Sequence, residues 1–163
     1  VGLSDSKEID YQAGLETFMG ALSAAMIGIN VASGPGMLEF ESTQSMEKLL
    51  IDNEACGIAF RMAKGFDVDE ATLAMSLLRE AHIRRHFLSS RHTLKWMRQE
   101  TYIPRLLSRD IKERASLVKR ARELVRKILE EHKPDELPSD VERELDRYFI
   151  DMCKRHGYSP KLD

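Results

Sequence analysis

Residues 29–33, Ile-Asn-Val-Ala-Ser, form a short, largely apolar run with β-branched residues at Ile29 and Val31, and Gly34-Pro35-Gly36 forces a turn directly after it. A run of this kind reads as one strand of a parallel sheet, buried on both faces. Such a strand needs sheet neighbours on both sides. The remaining sequence offers at most the tail of a second strand at residues 1–3. Helix, strand, glycine-rich loop, helix is the rhythm of a βα barrel or a doubly wound sheet. With most of the strands missing, the periodicity predicts an α/β fold of which this chain is a piece.

The rest of the sequence is helical in pattern. Asp10 is the N-cap candidate of a helix reaching about Ile27, with Leu15, Phe18, Met19 and Leu22 at helical spacing. Small residues in its second half, Gly20, Ala21, Ala24 and Ala25 among them, would let a sheet approach closely. A long helix is expected from about Ser45 to Lys64, closed by Gly65. A third, opened by a capping box between Asp67 and Glu70, should run to about His82, and a short helical piece should cover His92 to Arg98. Asp110 to about Glu131 is amphipathic, with Ile111, Ala115, Val118, Leu124, Val125 and Ile128 inward. Pro134 and Pro138 stop it; the last helix opens on the capping-box spacing Ser139–Glu142 and ends near His156-Gly157.

Composition narrows the function classes. A net charge of −2 over 163 residues gives no footprint for a polyanion, and basic residues without interleaved aromatics argue against nucleic acid. No apolar run reaches about 18 residues, so no membrane span is expected. Cys56 and Cys153 belong to no CxxC pair and read as reduced, buried thiols of a cytoplasmic protein. The chain opens on Val1, which suggests that it begins inside a longer protein.

Four segments, SDSKEIDYQAG (4–14), SGPGMLE (33–39), LLIDNEACG (49–57) and HFLSSRHTLKWMRQE with YIP (86–104), resemble the trimethylamine methyltransferase family in order and approximate spacing. The resemblance covers most of the chain and is weakest in the helix after Pro104. It implies a (β/α)8 TIM barrel about three times this length. Residues 1–66 would then be the last barrel units and 67–163 a C-terminal helical extension, so that the visible chain is mostly helical. The implied activity is methyl transfer from trimethylamine to the Co(I) corrinoid of a cognate corrinoid protein, as in methanogenesis from methylamines. The corrinoid would be carried by that partner, with no cofactor bound directly. The resemblance leaves an alternative: relatives in the family that lack pyrrolysine demethylate a quaternary amine such as glycine betaine. In the pyrrolysine branch that residue would lie upstream of Val1, which leaves the catalytic residue unknown here. The fragment alone is expected to be inactive, and the complete protein to be a homo-oligomer. The rival from another class is a helical interaction module, which would have no use for the 29–33 strand or the glycine turn.

In a βα barrel the reacting groups lie on loops after the strands. A methylated ammonium is met by aromatic faces and a carboxylate rather than by many hydrogen bonds. Glu39, Phe40 and Asp5 are the right types in the right loops, and Met37 would give an apolar wall. Glu39 and Glu41 have a second reading as solvated charges at the start of the following helix, and Asp5 as a turn residue. Asp52 and Glu54 interrupt an apolar helix; they are expected to face solvent, with buried functional carboxylates as the second reading. His82-x-x-x-His86, with His92 nearby, has metal-ligand spacing, but the arginines around it and the lack of a further ligand argue against zinc. His92 and Arg98 belong to a resembling segment and are assigned to contact with the corrinoid protein, with orientation of the tail over the barrel mouth as the other role. Trp96 reads as packing ahead of a cation box, and the basic helix after Asp110 as a solvated face ahead of a docking surface for an acidic partner domain.

Overall fold

Asp10 opens the first helix as expected: its carboxylate accepts the N–H of Ala13 at 2.9 Å, satisfying one of the first-turn donors. Helix α1 (Tyr11–Ile27) ends on Gly28, whose φ of 75° supplies the left-handed C-cap. The structure, a computed structural model, describes residues 2–80 and 86–159. After α1 come β1 (Met37–Leu38), β2 (Thr43–Gln44), α2 (Met46–Lys64), α3 (Glu70–Leu73), α4 (Met75–Arg79), α5 (Arg91–Glu100), α6 (Leu117–Glu131) and α7 (Ser139–Arg155). The chain divides into two compact units, Val1–Leu129 and Glu130–Asp163. The described residues are thus mostly helical.

Residues 29–33 form no strand, and neither do residues 2–3. The strands present among the described residues are β1 and β2, an antiparallel pair with Met37 opposite Gln44 and Leu38 opposite Thr43. The physical reason is the one that makes the segment informative: a doubly buried strand exists only with neighbours, and none of the described residues offers 29–33 an edge. Val31 is left 85% exposed.

α1 packs on α2, and its inward face is not the one the apolar spacing selects. Ala13, Thr17, Ala21 and Ala24 are buried, while Leu15 and Met19 are exposed. Small side chains at i, i+4, i+8 and i+11 form one stripe and bring two backbones together. The expected close approach is therefore made by a helix instead of a sheet.

Three helix starts differ from expectation, each for a local reason. α3 is capped by Asp69, not Asp67, because Asp69 and Thr72 exchange hydrogen bonds with each other's main-chain N–H groups. Ala74, at φ 50°, then separates α3 from α4; His82 lies outside the described residues. α6 begins at Leu117 instead of Asp110. Asp110 and Glu113 accept the main-chain N–H groups of Lys112 and Ala115, so that local side-chain bonds compete with helical ones. Ile111, expected inward, is 83% exposed. In α7 the N-cap position falls on Pro138, which puts Ser139 inside the first turn, and the Ser139–Glu142 box does not form. Its end at His156-Gly157 is as expected.

Candidate functional site

Asp52 and Glu54 are buried, at 1% and 5% exposure, against the solvent-facing expectation. Two residues apart on a helix is about 200° of rotation, so the two carboxylates face nearly opposite ways and α2 is covered on both sides. Each meets donors supplied by a neighbouring segment. Asp52 Oδ2 accepts the N–H of Gly36 at 2.7 Å and the Lys48 ammonium at 2.5 Å. Lys48 Nζ also donates to Thr17 Oγ1 on α1 at 2.9 Å, and Thr17 donates in turn to Gly2 O at 3.3 Å. On the other side, Glu54 Oε2 accepts the N–H of Arg105 at 2.8 Å. Tyr102 covers Gly57 there so closely that a Cβ on Gly57 would lie 2.5 Å from the ring. Burial, with the Glu54 charge adding to it, pushes the Tyr102 phenol above its ordinary pKa. A second tie on α2 is the Arg61 guanidinium, paired with the Glu100 carboxylate at the end of α5.

Above Asp52 runs the Gly34-Pro35-Gly36 turn. Gly34 has φ 123° and approaches the backbone of residues 2–3 so nearly that a Cβ would come within 2.7 Å of Gly2 C and Leu3 N. The turn feeds β1, whose partner β2 returns to the N-cap of α2. Between them Glu39, Phe40 and Glu41 hold φ values of 53°, 54° and 69°. Three successive left-handed residues with side chains are unfavourable, at about 1–3 kcal/mol each.

The hairpin brings together two loops that the sequence assigned to one site. The main-chain N–H of Glu39 donates to Ser6 O at 2.9 Å, next to Asp5. Ser6 belongs to a small polar knot: Ser4 Oγ and the Asp5 N–H both donate to Glu16 Oε2 at 2.9 Å, and Ser6 Oγ donates to Asp10 at 2.9 Å. The Glu16 carboxyl lies below its usual range because Gln12, Ser4 and the Asp5 N–H donate to it. Asp10 is lowered chiefly by the Ala13 N–H and by Ser6. The Asp5 side chain is exposed, as are Glu39 and, at 68%, Phe40; Met37 is half-buried. Glu39 Oε2 accepts a long bond from Thr43 Oγ1 at 3.3 Å.

His92 and Arg98 are on α5, apart from the hairpin's bonds. His92 Nε2 is 2.9 Å from Ala71 O, and Arg98 is exposed. Trp96 neighbours the His92 ring at 6.1 Å and carries Lys95 Nζ 4.3 Å above its own ring. Among the described residues no group of three His, Cys, Asp or Glu has metal-binding geometry, and the His82–His86 pair lies partly outside them. No described helix is long and apolar enough to cross a membrane.

A cavity of about 170 Å³ between α1, residues 29–35 and α2 is apolar, lined by Ala21, Ala24, Ile29, Pro35, Cys56 and Phe60. Burial raises the Cys56 thiol pKa, the Asp52 charge adds to the rise, and Lys48 partly opposes it. Cys56 and Cys153 are both free thiols, half-buried against the buried expectation. Sequence reasoning missed Lys48, Thr17 and Arg61 altogether. The available signal was Lys48 and Asp52 at i,i+4, enclosing Leu49-Leu50-Ile51.

A profile of the trimethylamine methyltransferase family matches residues 1–157. Among relatives, the glycine betaine methyltransferase of Desulfitobacterium hafniense strain Y51 is 31% identical over 162 residues, covering 96% of this chain and 34% of that protein. The trimethylamine methyltransferase MttB of Methanosarcina barkeri strain Fusaro is 32% identical over 151 residues, 87% of this chain and 30% of that protein. MttB of Desulfitobacterium hafniense strain DCB-2 is 30% identical over 167 residues, with shares of 99% and 34%. The chain spans about a third of the length of these relatives.

Proposed function

The chain belongs to the trimethylamine methyltransferase family, and from that premise we propose that it forms the C-terminal part of a (β/α)8 barrel that transfers a methyl group from trimethylamine to the Co(I) corrinoid of a separate protein. The observation that carries this reading is the hairpin tip, where Glu39 and Phe40 stand exposed next to each other beside the Asp5 loop. A carboxylate and an aromatic face are the two groups that hold a methylated ammonium while leaving its methyl groups open. The corrinoid supplies the nucleophile. The task of this chain's residues is to fix the direction of the C–N bond, which breaks with its electron pair remaining on nitrogen. Residues 29–33, unpaired here, are the segment expected to take strand partners from the rest of the barrel. A pyrrolysine upstream of Val1 would capture the amine in this reading. His92 and Arg98 on α5 are the proposed contacts for the corrinoid protein, and the assembled enzyme is proposed to be a cytoplasmic homo-oligomer.

A second reading, demethylation of a quaternary amine such as glycine betaine without pyrrolysine, has its support in the glycine betaine methyltransferase among the relatives, 31% identical over 96% of this chain. One assay separates the two. The intact polypeptide is mixed with reduced corrinoid protein and either trimethylamine or glycine betaine, and conversion of the Co(I) spectrum to the methylated form is followed. Conversion with trimethylamine supports the first reading and conversion with betaine alone the second. No conversion with either overturns both.

A further inference from the structure

The hairpin tip needs something to hold it. Glu39, Phe40 and Glu41 occupy the left-handed region in succession, and side chains rarely stay there unless surrounding bonds over-determine the backbone. The base of the hairpin is fixed by the Gly36 N–H donating to Asp52 and by the Ser45 N–H donating to Gly36 O at 2.9 Å. Asp52 is itself held by Lys48, and Lys48 by Thr17 on α1, with all three side chains buried. One carboxylate oxygen therefore joins the turn, α2 and, through Lys48, α1. We propose that Asp52 and Lys48 are positioning residues, a buried latch that sets the hairpin tip and thereby the orientation of Glu39 and Phe40 toward the amine. This rests on the reading of Glu39 and Phe40 given above.

Lys48 and Asp52 are each 1% exposed, so bulk solvent offers little competition for the Gly36 N–H or the ammonium. The residues do not touch the proposed substrate. Their effect passes through main-chain geometry, and a loosened tip should weaken amine binding more than it slows the bound reaction.

The test uses the intact polypeptide, with hydrogen exchange by mass spectrometry and steady-state kinetics on the same variants. Asp52→Ala should raise exchange across residues 33–45 by about tenfold or more while residues 11–27 keep most of their protection. The amine KM should rise by about tenfold, with kcat changed by less than about threefold. The double variant Asp52→Asn/Lys48→Met keeps an acceptor for Gly36, removes both charges and cuts the tie to Thr17, and should bring both readouts back to within about threefold of parental values. Should Asp52→Ala not fold, Thr17→Val loosens Lys48 more mildly and should give the same pattern at about threefold. Exchange that rises equally in residues 11–27 and 33–45, or a loosened hairpin with unchanged KM, overturns the proposal. If the parent transfers no methyl group, the functional reading fails, while the exchange data still decide whether the latch holds the hairpin.

Discussion

Helices α2 and α7 are of similar length and invert each other. α7 carries a regular apolar stripe, Val141, Leu145, Tyr148, Phe149 and Met152, yet none of its described residues is buried. In α2 the fully enclosed side chains include Lys48, Asp52 and Glu54, and Phe60 and Met62 face outward. Periodicity records which face of a helix is apolar; burial records what has been laid against it. α2 has α1 and the 34–36 turn on one side and residues 102–105 on the other: Gly36 and Arg105 bring donors to its carboxylates, and Thr17 on α1 brings an acceptor to its ammonium. Burying a charge is tolerated only when such partners are in place.

That contrast can be broken at its strongest point. Lys48→Met leaves the Asp52 carboxylate enclosed with only the Gly36 N–H, and removing one partner of a buried pair costs about 3–5 kcal/mol. Chemical denaturation of the intact polypeptide should register a loss of that order. A change below about 1 kcal/mol would mean that water reaches the pair and that α2 is less enclosed than described.

On the opposite side of α2, Gly57→Ala places a methyl group against the Tyr102 ring. Overpacking of this kind costs about 1–3 kcal/mol, and the ring must move away from residues 54–57. Tyr102 fluorescence and denaturation midpoints would report both effects. An unchanged midpoint would show that the 102–105 segment is not pressed onto α2.

The smallest effect belongs to α7. Leu145→Gln on an uncovered stripe should alter stability by no more than about 0.5 kcal/mol. A loss of about 2 kcal/mol or more would instead reveal that this face is covered in the intact polypeptide.

Local chemistry was legible in the sequence, and tertiary partnership was not. Asp10 and Gly65 fulfil the cap roles read for them, and the last helix ends at His156-Gly157 as read, because these features depend on a few neighbouring residues. The 29–33 run has a strand's composition but requires edges from elsewhere, and it remains unpaired among the described residues. The solvent-facing assignment of Asp52 and Glu54 failed because helical phase cannot reveal that Gly36, 16 positions before Asp52, and Arg105, 51 positions after Glu54, supply the missing donors. In the candidate site, the glycine turn and the residue types of Glu39 and Phe40 were readable, because turn chemistry is local. The left-handed tip and its buried support were not, because their stability comes from contacts across the fold.

The central functional claim is that the hairpin tip meets the amine through Glu39. Glu39→Gln keeps the size and the hydrogen-bonding oxygen of the side chain and removes its charge. A carboxylate about 6 Å from an ammonium contributes a few kcal/mol at an effective dielectric near 20 before desolvation is subtracted. The decisive measurement is amine affinity by calorimetry on the intact polypeptide and this variant, with the thermal midpoint as a control for folding. We expect binding weakened by about tenfold or more with the midpoint unchanged. Equal affinity and equal turnover in the two proteins would contradict the assignment and leave Glu39 as a solvated charge at the head of α2.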